Sequence, residues 1–88
     1  MVWRIEYSET ALGLLGKLDK PTARRIMDYL DRRVATLHDP RLCGKALTGP
    51  LGGLWRYRVG DYRVICAIED EHLRVLVVTL GHRRNIYR

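Results

Sequence analysis

Hydrophobic positions along the chain change period three times, and each period predicts a different element. Trp3, Ile5 and Tyr7 alternate with Val2, Arg4 and Glu6, the two-residue period of a short half-buried strand. Ser8 reads as a helix N-cap, and Glu9 sits well at the positive helix end. Ala11, Leu12, Leu15 and Leu18 then recur at helical spacing as far as Asp19. Pro21 suits the first turn of a second helix, where its missing N–H is not needed. Ile26, Met27, Leu30, Val34 and Leu37 give that helix one apolar stripe, with Arg24, Arg25, Arg32 and Arg33 largely off it. His38-Asp39-Pro40 stops it, so the two segments predict an α-hairpin.

From Arg41 to Leu54 the periodicity is lost, and Gly44, Gly49, Pro50, Gly52 and Gly53 predict a long loop, a kind of segment that is often functional. The period then becomes two. Trp55, Tyr57 and Val59 face one way, with Arg56 and Arg58 on the other. Gly60-Asp61 suits a tight hairpin turn of type II′, which needs positive φ at its first position. Tyr62, Val64, Cys66 and Ile68 run back, with Arg63 on the opposite face. After a turn at Glu69–His72, Leu73 to Leu80 is apolar at nearly every position and predicts a central strand ending at Gly81. The expected fold is α+β, one domain over residues 1–88. An N-terminal strand and helical hairpin pack on a small, mostly antiparallel sheet, and a parallel crossover sets the first strand beside the last.

Composition narrows the chemistry. Eighty-eight residues, 47% of them apolar and 30% charged, make an ordinary small globular domain without room for a large cofactor pocket. Any site is expected on a surface or in a groove. Lys and Arg number 16 against 10 acids, and thirteen of the sixteen are Arg. Such a balance points to a polyanionic partner: nucleic acid, an acidic protein segment or an anionic membrane surface. Cys43 and Cys66 lie in different contexts and make no disulfide framework, Cys66 reading as a small core residue. No apolar run approaches the ~20 residues of a membrane span, and residues 1–6 lack the apolar stretch of a secretory signal, so a cytoplasmic protein with no membrane partner is expected.

Arg56, Arg58 and Arg63 share one sheet face, the first two about 7 Å apart by the strand rise. Asp61 is the carboxylate nearest to them in sequence. His82, Arg83, Arg84, Tyr87 and Arg88 follow within seven residues. An imidazole, a phenol and several guanidiniums are the groups that metal-free RNA cleavage requires. The 2′-hydroxyl loses a proton and attacks phosphorus, charge grows on the phosphoryl oxygens, and the departing 5′-oxygen takes a proton. His38, His72 and His82 are scattered and the cysteines lack zinc spacing, so neither metal nor cofactor is expected.

The segments Lys45-Ala46-Leu47-Thr48-Gly49, Leu54–Val64 and Leu80–Arg88 together resemble the RelE/ParE superfamily of toxin–antitoxin toxins, over nearly the whole chain. The resemblance implies a RelE-like fold and, for the RelE branch, a ribosome-dependent mRNA endonuclease neutralised by a cognate RelB-like antitoxin. It implies that Arg63 and Arg83 stabilise phosphoryl charge and that Tyr87 orients or stacks at the scissile nucleotide. Arg56 and Arg58 match a basic pair that contacts phosphate or assists proton transfer, and Lys45, Arg84 and Arg88 are expected to bind substrate beside Arg58. His82 stands where some relatives carry Lys, and acts as acid, base or phosphate contact. Arg at 56 and 58 departs from the Lys of the best-known member, and a guanidinium cannot serve as an ordinary general base. The alternatives are a ParE-like inhibitor of DNA gyrase and a non-catalytic RNA- or antitoxin-binding module.

Overall fold

The computed structural model describes residues 2–84. Strand β1 is Arg4–Tyr7, and helices α1 and α2 are Glu9–Gly16 and Lys20–Tyr29. Strands β2 (Lys45–Ala46), β3 (Trp55–Val59), β4 (Tyr62–Glu69) and β5 (Arg74–His82) complete, among the described residues, a sheet of order β1-β5-β4-β3-β2. β1 runs parallel to β5 and the other neighbours are antiparallel. This is the expected α+β arrangement, with the first strand beside the last.

Helix α1 begins on the cap that the sequence marks, and α2 carries Pro21 in its first turn as expected, with Asp19 as a cap that the sequence reading did not name. Ser8 Oγ accepts the Ala11 N–H at 3.0 Å, and the Asp19 carboxylate accepts from the Thr22 N–H at 3.1 Å and from its hydroxyl at 2.7 Å. The Ser8 hydroxyl also donates, at 2.7 Å, to the carbonyl of Val78. Val78 is skipped in the ladder, because Ile65 pairs with Thr79 while Cys66 pairs with Val77. The bulge frees a carbonyl and the helix cap satisfies it, so one hydroxyl ties the start of α1 to the middle of β5.

Ile26, Leu30 and Val34 are fully buried, as their stripe predicts, whereas Met27 is 39% and Leu12 54% exposed. The α-helix also ends earlier than the stripe. From Leu30 to Val34 the chain widens into a π-helical turn, closed by the Ala35 N–H on the Leu30 carbonyl at 2.9 Å. The wider turn lets Leu30, Val34 and Ala35 all point inward, and it presents the Ala35 carbonyl to the Trp3 N–H at 3.0 Å. Ile26, Leu30 and Val34, with Trp3, Ala11 and Leu15, meet Tyr57, Val59, Val64, Cys66, Val75, Val77 and Leu80 on one face of the sheet.

Two expectations need correction. The segment Arg41–Leu54 is not irregular throughout: it carries β2 and lies between and around short 3₁₀ turns at Pro40–Leu42 and Gly49–Leu51. A two-residue strand is too short to show a period. Gly81 does not end the last strand either, which continues to His82 opposite Tyr62. The Gly60 turn is as read, with φ +61° at Gly60 and no positive φ at Asp61.

Replacing Ser8 by Ala removes both the cap and the partner of Val78, so we expect a loss of about 1–2 kcal/mol in urea unfolding. Ser8→Asp restores the cap but turns a carboxylate toward the Val78 carbonyl, and should recover only part of it. Burial pushes the Tyr7 hydroxyl up to about 12 from 10.0, and moves Tyr57 and the Cys66 thiol in the same direction. The unfolded chain loses these protons first. Stability should therefore hold below pH 9 and fall as pH rises from there through 12, with a shallower decline in Tyr57→Phe, measured as the urea midpoint against pH.

Candidate nucleic-acid interface

The face of the sheet turned away from the helices is set by strand alternation and register. Lys45 lies opposite Arg56, Arg56 opposite Ile65, and Ile65 opposite Thr79. The next row holds Arg58, Arg63 and Gly81. Ile65 is 1% exposed although it belongs to this outer face. The Nε atoms of Arg56 and Arg63 are also shut off from solvent, so the arginine stems lie along the sheet over Ile65 and send their charged ends outward. Gly81 offers no side chain beside Arg63.

Charge on this face is unevenly balanced. At the far end Arg74 pairs with Glu6 at 3.1 Å and with Glu69, and Arg4 reaches Glu6 at 3.5 Å. Arg56 and Arg58, by contrast, form no ion pair among the described residues. Arg63 Nη1 donates to the Arg83 carbonyl at 3.4 Å, and the Arg83 N–H donates to the Asp61 carbonyl at 2.8 Å. The backbone of Arg83 is thereby pinned to the β3–β4 turn, at the end of the arginine rows.

His82 is placed differently. It follows Leu80 on the helix side of the sheet, where its ring meets Tyr62 edge-on with centroids 5.7 Å apart. Its Nδ1 accepts the Arg84 N–H at 3.3 Å. The strand thus turns the imidazole to the face opposite Arg56, Arg58 and Arg63. Arg84 is exposed beyond the strand end, and Tyr87 and Arg88 lie outside the described residues.

Lys45 reaches the site through a chain of aromatic hydrogen bonds. The fully buried Tyr57 donates its hydroxyl to the Pro40 carbonyl at 2.7 Å, and Trp55 Nε1 donates to the Cys43 carbonyl at 2.7 Å. Gly44 follows with φ +78°, and a Cβ there would stand 2.4 Å from the Arg56 carbonyl oxygen. Only glycine lets the backbone press this closely against β3 and then enter β2.

Because β2 spans only two residues, the edge of β3 is uncovered beyond Arg56. A groove of about 220 Å³ opens there, lined by Tyr29, Gly44, Lys45, Arg56 and Arg58. Sequence reasoning missed Tyr29, whose one signal is its place beside the apolar stripe, three residues after Ile26. Its hydroxyl donates to Cys43 Sγ at 3.9 Å. Burial raises its pKa, the Cys43 thiol adds to the rise and Arg33 opposes it, so the phenol keeps its proton at neutral pH.

A small α+β fold of this kind is found among solved toxins. The chain matches one from the toxin–antitoxin complex RelBE2 of Mycobacterium tuberculosis with TM-score 0.85 and 26% identity, over 97% of this chain and 95% of that one. The sequence model described as the ParE toxin of the type II toxin-antitoxin system parDE matches residues 5–87. Toxin RelG of M. tuberculosis is 30% identical over 88 residues, covering 100% of this chain and 99% of RelG. Toxin RelE of the same organism is 36% identical over 86 residues, covering 98% and 87%. The chain belongs to the RelE/ParE family and is a toxin of a type II toxin–antitoxin system.

Gly44→Ala combines an unfavourable backbone conformation with a clash against main chain, and should cost about 1–3 kcal/mol in urea unfolding. The displaced β2 should also make the Lys45 amide exchange with deuterium faster than in the parent protein.

Proposed function

We propose that this toxin is a ribosome-dependent mRNA endonuclease that uses guanidinium groups rather than a metal to stabilise the transition state. The observation that carries the reading is the end of the sheet where, among the described residues, Arg56 and Arg58 meet no carboxylate while Arg63 and the Arg83 backbone close the same corner. A face that served only solubility would alternate signs, as its far end does.

In this reading Arg63 and Arg83 take the charge that develops on the phosphoryl oxygens, and Arg56 and Arg58 hold the scissile and neighbouring phosphates. Lys45, Arg84 and Arg88 contact the flanking strand, and Tyr87 orients the nucleotide. The 2′-oxygen bonds to phosphorus, the bond from phosphorus to the 5′-oxygen breaks, and a cyclic phosphate and a 5′-hydroxyl result. No arginine can accept the 2′-proton, so it passes to water, the departing 5′-oxygen takes a proton from water, and the rate comes from charge stabilisation and alignment on the ribosome. His82 fits a positioning role: its ring braces the strand end and its Nδ1 holds the turn that leads into the tail.

A protein antitoxin, RelB-like, is the proposed partner, supported by the toxin–antitoxin complex among the similar structures. The site of action is the cytoplasm, and among the described residues no helix is long and apolar enough to cross a membrane. A second reading, gyrase inhibition, is favoured by one finding: the family model that matches residues 5–87 is that of the ParE toxin.

Mapping mRNA 5′ ends in a purified translation reaction, beside a gyrase supercoiling assay, separates the two. Cuts within codons that need ribosomes support the endonuclease, whereas intact message with inhibited gyrase supports the ParE reading. Arg63→Ala and Arg83→Ala should each slow cleavage by about 100-fold, the usual loss for one transition-state charge contact. His82→Ala should cost less than either, with a lower Tm as its main effect. Full toxicity in both arginine variants would sink the site assignment.

A further inference from the structure

The groove at the edge of β3 has a wall that the charge-stabilising arginines do not explain. Tyr29 comes from α2, not from the sheet, and shares the cavity with Lys45, Arg56 and Arg58. Its ring is tilted 58° against Tyr57 at 6.5 Å, so the core supports one side of it while the other borders the groove. Its hydroxyl is held by Cys43 and has Arg33 nearby, which limits rotation. Arg25, one helical turn earlier on the same face of α2, lays its guanidinium over the β3–β4 turn, 3.1 Å from where a Cβ on Gly60 would stand. Arg25 joins no ion pair among the described residues. An aromatic ring braced from behind, three cations around its cavity and a fourth above the adjacent turn make the combination used for single-stranded nucleic acid.

We infer that Tyr29 is a stacking platform for the nucleobase next to the scissile phosphate, with Lys45 and Arg25 gripping the phosphates on either side of that nucleotide. The inference rests on the RNA-cleaving reading of the same site. At about 220 Å³ the groove is below the size of a drug-sized pocket, and takes one planar base. The occupant is a nucleotide rather than an acidic peptide, because the cations surround an aromatic face instead of an apolar stripe. Stacking tolerates every base, so this contact contributes affinity and alignment with little sequence preference.

The test uses ribosomes programmed with mRNA that carries 4-thiouridine at single positions in and beside the A site, irradiated in the presence of the whole toxin. A cross-link that maps to Tyr29 is expected, together with a rise in KM of about tenfold in Tyr29→Leu while kcat stays within about twofold. Tyr29→Phe, which keeps the ring and loses the contact to Cys43, should recover most of that loss. Tm is measured for both variants, and a KM change that tracks Tm instead of ring identity overturns the proposal. Absence of a cross-link at Tyr29 overturns it too, even where the parent protein cleaves. A cross-link at Tyr29 without cleavage keeps the platform and removes the endonuclease reading. If Tyr29→Leu weakens only the hold of a co-expressed antitoxin, the groove belongs to the protein partner and the proposal fails.

Discussion

The hydroxyl of Tyr57 crosses the core to the carbonyl of Pro40, and the placement of the cationic edge of the sheet follows from that bond. Pro40 is where the chain leaves the helical layer, and its carbonyl would otherwise be buried without a donor. Satisfying it from the centre of β3 fixes the distance between the helical layer and the sheet. Trp55 repeats the device three residues later at Cys43, and the Gly44 backbone then packs against β3 with no side chain between. Lys45 is delivered opposite Arg56 as a result. The cationic groups at this edge are thus positioned by neutral hydrogen bonds, one buried and one part-buried, which salt does not screen.

Most of the fold was legible because alternating and helical periods report burial directly. The cap at Ser8, the Gly60 turn, the central last strand and the parallel first strand all appear as their residue types suggest. What stayed hidden depends on partners distant in sequence. The bulge at Val78 and its capture by Ser8 join positions 70 residues apart, and no local pattern records that contact. β2 is defined by its neighbour and by Gly44, since two residues carry no period of their own. The π-helical turn at Leu30–Val34 is likewise a packing outcome, with ordinary helix-forming residues widened to bring three apolar side chains inside.

The candidate site was legible in part for similar reasons. Alternation alone put Arg56, Arg58 and Arg63 on one face, and the register agrees. His82 looked equivalent to Arg83 in a linear reading of the tail, yet extending β5 by two residues turns its ring to the other side of the sheet. Tyr29 was invisible because a tyrosine beside a helical stripe is ordinary core chemistry; only the shortness of β2 exposes its far side. Ile65 shows how the arginines coexist on so small a surface. Their aliphatic stems cover an apolar floor, so the charged face contributes hydrophobic burial as well as field.

The parallel pairing of β1 with β5 bears on when this protein becomes itself. Arg4 waits for Arg74, and Val64 for Leu80, so neither flank of β5 has its neighbour until that strand has been synthesised. The helical hairpin can form early from local contacts, but closure of the sheet is a late, long-range event. A nascent chain still threaded through its ribosome therefore holds its arginines on an unfinished surface. The assembled face exists only after β5 has been made, and maturation is timed by topology without any separate chemical switch.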